Sequence, residues 1–157
     1  MASVGVIGSG TWGTALAMLL YKKGHHVTVW SAIGSEVESL SKERFHPNLP
    51  GIRIPEGIRI TGDLKEGMED KELLVLSVPS VFVRATAAKM KPWCGKGQVI
   101  VDVAKGIEDG TLLTLTQVIG EELPEADVAV LSGPSHAEEV SKGLPTTCVA
   151  AAKSRRT

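Results

Sequence analysis

Cysteine is scarce in this chain of 157 residues: there are two, Cys94 and Cys148, far apart and in no paired spacing. That excludes a disulfide framework or a zinc knuckle as the organising device, and a reducing, cytoplasmic setting fits. Excess charge of either sign is lacking too, since 17 basic side chains meet 18 acidic ones for a net charge of −1. No positive field is left over to attract nucleic acid. The longest apolar stretch, Leu73 to Val83, is broken by Ser77, Pro79 and Ser80 and is too short to span a bilayer. The opening residues, Met1 to Gly8, carry no positive segment and no cleavage pattern, so they do not read as a signal peptide. His25, His26 and His46 lack metal-ligand spacing, and the neighbours Ser135 and His136 have no nucleophile elbow around them. No metal site and no Ser-His-Asp triad is expected. Internal repeats, low-complexity tracts and interdomain linkers are missing as well.

What remains is an ordinary globular composition, 43% hydrophobic and 22% charged, in a length that suits one domain. Short β-rich runs alternate with stretches of helical period. Val4 to Ile7, His26 to Trp30, Ile58 to Ile60, Leu73 to Val78, Val99 to Val103 and Val128 to Leu131 read as strands. Thr14 to Lys23 reads as a helix with Ala15, Leu16, Leu19 and Leu20 inward and Gly24 as its stop. Ser35 to Glu38 has capping-box spacing and opens a second helix that ends near Arg44. Phe82 to Lys91 and Leu112 to Leu123 read as further helices, while His46 to Gly57 reads as a Pro- and Gly-rich loop. Strands separated by helices of this length predict an α/β domain: a doubly wound, mostly parallel sheet with helices on both faces.

Gly8-Ser9-Gly10-Thr11-Trp12-Gly13 follows the first strand directly and opens the first helix. Alone, G-x-G-x-x-G is a weak signal, but strand-turn-helix context makes it the fingerprint of a dinucleotide site in a Rossmann-type fold. Gly8 permits the tight turn, Gly10 lets the backbone approach a pyrophosphate, and Gly13 lets helix and strand pack closely. The helix N-terminus adds free N–H groups and a positive dipole. No Gly-Lys-Ser/Thr follows, which excludes a mononucleotide P-loop. A carboxylate at the end of the second strand would hydrogen-bond a ribose 2′-hydroxyl and repel a 2′-phosphate. Here that strand ends Trp30-Ser31-Ala32, without an acid or an arginine. Charge therefore selects neither NAD nor NADP, and the missing repulsion tilts the reading toward NADP.

Ligands of such sheets gather outside the carboxyl ends of the strands, where three more clusters lie. Pro79 and Phe82 are placed to flank a nicotinamide or ribose; the alternative is a Pro-Ser helix start with Phe82 in the core. Lys105, beside Gly106, offers a compact cation to a phosphate or hydroxyl. Gly133 and Ser135 can present N–H and hydroxyl groups to an anion, or Ser135 can serve as a plain N-cap.

Taken in order, Gly8 to Ala17, Leu49 to Ile52, Ser77 to Ser80, Lys105 to Glu108 and Leu131 to Val140 resemble the N-terminal half of the NAD(P)-dependent glycerol-3-phosphate dehydrogenases of the bacterial biosynthetic type. The resemblance reaches to about Val149. The Lys-Gly-Ile-Glu and Ser-Gly-Pro-Ser-His-Ala-Glu-Glu segments are its most specific parts. It implies reversible reduction of dihydroxyacetone phosphate to sn-glycerol 3-phosphate for phospholipid synthesis, with NADP or NAD as cofactor and a homodimer as the full-length form. By matching position, Thr11, Trp12 and Ala137 would lie by the dinucleotide, Lys105 by both cofactor and substrate, and Gly133 and Ser135 by the substrate. Ala32 departs from the family, which often carries histidine or arginine there to hold the adenosine phosphate. The family's proton-transferring lysine belongs to a helical C-terminal domain, so no catalytic residue is expected among these 157. Residues 1–152 are then expected to form the cofactor domain and 153–157 a truncated tail, because Ala150 to Thr157 closes no obvious element.

Overall fold

The computed structural model describes residues 1–154 and 157. Seven strands form one sheet: β1 (Ser3–Ile7), β2 (His26–Trp30), β3 (Arg59–Thr61), β4 (Leu73–Leu76), β5 (Val99–Asp102), β6 (Asp127–Ser132) and β7 (Val149–Ala152). Their order across the sheet is β3-β2-β1-β4-β5-β6-β7, with all neighbours parallel except β6 and β7. Among the described residues, six α-helices connect them: α1 (Thr11–Lys22), α2 (Gly34–Glu43), α3 (Leu64–Met68), α4 (Val83–Met90), α5 (Leu115–Glu122) and α6 (Ala137–Ser141). The mostly parallel, Rossmann-type architecture expected from the sequence is the one found. Among the described residues, no helix is long and apolar enough to cross a membrane.

Strand periodicity divides the core in two. Val4 and Val6 of β1 and Val75 of β4 face α1, α2 and α6, together with Leu49, Ile54 and Ile58. Ile7, Leu74, Leu76 and Ile100 face the other way, against Met68 of α3, Val83, Ala87 and Met90 of α4, and Val118 and Ile119 of α5. Burial on both faces is why β1 and β4 read as continuous apolar runs and not as alternating ones. Leu74, Leu76, Ile100 and Ile119 are fully enclosed, each contributing about 2–3 kcal/mol by leaving water.

Several local expectations are corrected. α1 begins at Thr11, and it buries every residue from Gly13 to Met18, whereas Leu19 is exposed. Its small residues let that half of the helix sink between the sheet and α6, and only the last turns emerge into water. α2 is not started by a Ser35 capping box. Its N-cap is Ile33, whose N–H is taken by the Ser31 hydroxyl at 3.2 Å, so the chain turns two residues earlier. α5 starts at Leu115, not Leu112: Thr114 and Gln117 form a capping box there, and Leu112 sits at φ 60° in the preceding turn. α3 had no counterpart in the sequence reading. The alanine-rich run near the end is also an element, because Val149 to Ala152 pair with Ser132 to Ala129 as an antiparallel edge strand. Of the expected tail, Arg155 and Arg156 lie outside the described residues.

Candidate functional site

Four strand ends meet at one edge of the sheet. β1 leads into the glycine turn, β4 into Ser77 to Ser80, β5 into Val103 to Gly106, and β6 into Gly133 to His136. β1 and β4 are neighbours whose connections run to opposite sides, so a crevice opens outside their carboxyl ends. A cleft of about 430 Å³ lies there, walled by Gly10, Trp12, Pro79, Ser80, Lys105, Ser135 and Ala137 among others. A larger groove of about 780 Å³ between α5 and the β6–β7 edge contains none of the motif residues.

The three glycines of the turn differ in what requires them. Gly8 sits at φ 122°, and a Cβ there would lie 2.6 Å from the Ser77 carbonyl oxygen. A Cβ on Gly13 would lie 2.2 Å from the Gly8 carbonyl oxygen. Both are fixed by the protein's own packing, as α1 comes down onto the turn. A Cβ on Gly10 would meet nothing within 4 Å. No neighbour in the fold demands glycine at that position, and the open space beside it is where a ligand's approach would. The first turn of α1 has no side-chain cap and no acidic residue. Its leading N–H groups therefore keep their partial positive charge for an anion. A pyrophosphate fits this cradle.

Opposite the turn, the Lys105 ammonium donates to the Ser135 carbonyl oxygen at 3.3 Å, which ties the β5 and β6 loops together across the cleft. Ser135 is buried, with 6% of its surface exposed. Lys105 also borders an adjoining cleft of about 470 Å³ with Asp102, Gly106 and Gly133. Of the expected substrate set, Lys105 and Ser135 are in contact, while Gly133 lines only this second cleft. Gly133 is also required structurally: at φ 151°, a Cβ would lie 2.8 Å from the Thr147 carbonyl oxygen, where the chain returns toward β7.

Other expected residues are placed as follows. Trp12 and Ala137 line the first cleft. Thr11 lies beside it, its hydroxyl accepting from the Asn48 amide at 3.1 Å. Ser9 is buried, and its hydroxyl points away from the cleft. Phe82 follows Pro79 and Ser80, which wall the cleft, without itself being a wall. It ends a short 3₁₀ turn, Ser80–Phe82, is 57% exposed, and is neither a wall of the cleft nor part of the core.

Three residues that the sequence reading missed stand behind the turn. Glu36, from the first turn of α2, accepts hydrogen bonds from the Ser9 hydroxyl at 2.7 Å and the Ser31 hydroxyl at 2.8 Å. An acid at this place is expected from β2 itself, whereas this one arrives from the next helix. His46 is buried beside Glu36 and the Ser9 backbone, and burial, the dominant effect, holds its pKa below the ordinary histidine value. Its Nδ1 accepts from the Asn48 N–H at 3.1 Å, and Asn48 in turn reaches Thr11. The Pro- and Gly-rich loop that begins at His46 is thus a buttress of the turn.

The family known as NAD-dependent glycerol-3-phosphate dehydrogenase N-terminus matches residues 3–157. The chain belongs to this family. A glycerol-3-phosphate dehydrogenase (NAD(P)+) of Agathobacter rectalis is 51% identical over 100% of the chain and 47% of its own length. One from Lactobacillus delbrueckii subsp. bulgaricus is 52% identical over 96% of the chain and again 47% of its own length. The crystal structure of glycerol-3-phosphate dehydrogenase from Coxiella burnetii superposes with a TM-score of 0.92 at 33% identity, over 99% of this chain and 48% of that one. The chain therefore spans about half the length of the relatives it matches. NAD(P)-dependent oxidoreduction is the chemistry of this family of dehydrogenases, and the glycine turn is where the chain meets the family's fold.

Proposed function

We propose that the chain is the dinucleotide-holding half of an enzyme that reversibly reduces dihydroxyacetone phosphate to sn-glycerol 3-phosphate, supplying glycerophospholipid synthesis in the cytoplasm. The observation that carries this reading is the convergence of the glycine turn, Lys105 and Ser135 to Ala137 on a single cleft at the β1/β4 crevice. A protein that only sensed a dinucleotide would have no need of Ser135 held on the Lys105 ammonium at the far side of the cleft.

The roles follow from chemistry. The uncapped start of α1, with Gly10 open beside it, holds the pyrophosphate. Trp12 and Ala137 wall the cleft on the dinucleotide side. Lys105, already anchored on Ser135, directs a cation toward a phosphate or toward the oxygen of a carbonyl, where negative charge develops on reduction. When bound, the nicotinamide supplies or accepts the hydride, and the protein orients its partner. The alkoxide also needs a proton. We assign that step to the portion of the relatives that this chain does not span, since Lys105 is committed to the cofactor half.

A second reading is an NAD(P)-binding module without turnover of its own, for which the open glycine turn and the cleft beside it would suffice. Fluorescence titration of the 157-residue chain with NADH and NADPH tests the shared part of both readings. Saturable quenching of Trp12, absent in a Trp12→Phe variant, is expected; no saturable binding up to about millimolar cofactor would refute it. A dihydroxyacetone phosphate reductase assay then separates the two. Turnover by this chain alone at about 10 s⁻¹, a typical enzyme rate, would overturn the assignment of proton transfer to the portion of the relatives that the chain does not span.

A further inference from the structure

We propose that Glu36 sets cofactor choice in this protein, favouring the dinucleotide with a free 2′-hydroxyl over the one carrying a 2′-phosphate. The inference rests on the dinucleotide reading above and goes beyond it, since the family's relatives are named for both cofactors.

The end of β2 has no acid of its own, and Ala32, the residue after Ser31, has no polar group to offer. The structure fills the gap from another element. One oxygen of Glu36, Oε2, accepts from both Ser9 in the glycine turn and Ser31 at the end of β2. The carboxylate is thereby pinned between the two segments that flank the adenosine ribose in a fold of this kind. No described residue donates to its other oxygen, Oε1, and no described cation forms a salt bridge with it. Glu36 is exposed, so a ligand can reach that free oxygen. A 2′-hydroxyl there would donate to Oε1. A 2′-phosphate would bring negative charge against a carboxylate that two hydroxyls hold in place and that cannot swing aside without breaking both bonds. The start of α2, which would otherwise welcome a phosphate, already has its dipole offset by this same side chain. His46, the neighbour whose charge would oppose that of Glu36, is kept neutral at pH 7 by its burial. The lean toward NADP drawn from the bare end of β2 is reversed by this contact.

The test is the ratio of NADPH to NADH dissociation constants for the wild-type chain and for Glu36→Gln, read by Trp12 quenching and by calorimetry. Glutamine keeps an acceptor for Ser9 and Ser31 and removes only the charge. The wild-type chain is expected to bind NADH about tenfold more tightly than NADPH at low salt, with the preference shrinking as salt rises. In Glu36→Gln the ratio is expected to fall to within about twofold and to lose its salt dependence, chiefly through tighter NADPH binding. A Glu36→Arg variant should invert the preference. Binding of both cofactors with the same ratio in wild type and Glu36→Gln would overturn the role of Glu36 while leaving the dinucleotide site intact. Binding of neither cofactor by any of the three proteins, each confirmed as folded by circular dichroism, would refute the dinucleotide reading and this proposal with it.

Discussion

Asp102 ends β5 three residues before Lys105, with 2% of its surface exposed. Its Oδ1 accepts the Ala104 N–H at 3.1 Å, but burial dominates and pushes the carboxyl from 3.8 up to about 6. The consequence for stability has a definite sign. Below about pH 4 the group is protonated in both the folded and the unfolded chain and contributes nothing. Between about 4 and 6 the folded chain keeps a proton that the unfolded chain has released, so stability falls as pH rises through this window. Above it both states are ionised, and the folded state bears the full cost of a buried charge. A difference of about two pH units corresponds to about 3 kcal/mol, an upper figure because water and local relaxation soften it. Asp102→Asn removes the titration and keeps an acceptor for Ala104, although its new N–H₂ group needs a partner and costs about 1 kcal/mol at every pH. The slope is therefore what matters. Urea unfolding of both proteins across the range from about pH 4 to about pH 8 should show the variant gaining on the wild type by about 2–3 kcal/mol, with the gain confined to the region near 4–6. Parallel curves would refute the reasoning, since they would mean that Asp102 is as readily ionised in the fold as in the open chain.

The other expectations are shorter. Gly13→Ala places a methyl against the Gly8 carbonyl oxygen and forces α1 off the turn, so it should cost about 2 kcal/mol or more in urea unfolding and weaken NADH binding in titration. Lys105→Ala should leave the melting temperature nearly unchanged, because the side chain is exposed, yet raise the NADH dissociation constant by about tenfold through loss of a charged hydrogen-bond donor. Phe82→Ala, outside the cleft, should leave that constant within about twofold of wild type by the same titration. Arg84 pairs with Glu108, Glu121 and Glu122, and its guanidinium is the largest influence drawing the Glu108 carboxyl down to about 2. Arg84→Ala should thus lower the melting temperature near neutral pH more at low salt than at high salt, and the difference between variant and wild type should fade only as pH drops from about 4 toward 2.

Which parts of this architecture could be read from residues alone depended on whether one stretch of chain carried the signal. β1 and β4 announced themselves because each is buried on both faces, and the glycine turn did because two of its glycines answer to backbone contacts within a few residues of the turn or across one strand pair. α3, five residues long, has too short a pattern to show a helical period. β7 has three alanines, which favour strands poorly. Its conformation is set by the open edge of β6, a partner about twenty residues earlier in the chain. Phe82 is 57% exposed, which excludes the core alternative; the direction of its ring is a property of the packing at the start of α4 and not of the motif.

Glu36 is the instructive case. A search for an acid at a fixed distance along β2 supposes that the element carrying the ribose contact must also be the one that ends beside it. Here the Ser31 hydroxyl takes the Ile33 N–H and turns the chain into α2 early. That early turn brings the third residue of α2 back over the end of β2 and against Ser9. The serine that occupies the expected acid position therefore works as the hinge that delivers an acid from elsewhere. If so, the feature to read is the combination of a hydroxyl at the end of β2, a hydroxyl between the first two glycines and an acid five residues beyond the strand-end hydroxyl. Removing either hydroxyl should loosen Glu36 without touching its charge. Ser31→Ala is then expected to erode the preference for NADH while leaving binding of both cofactors saturable, and an unchanged ratio in that variant would show that Glu36 needs no such anchoring.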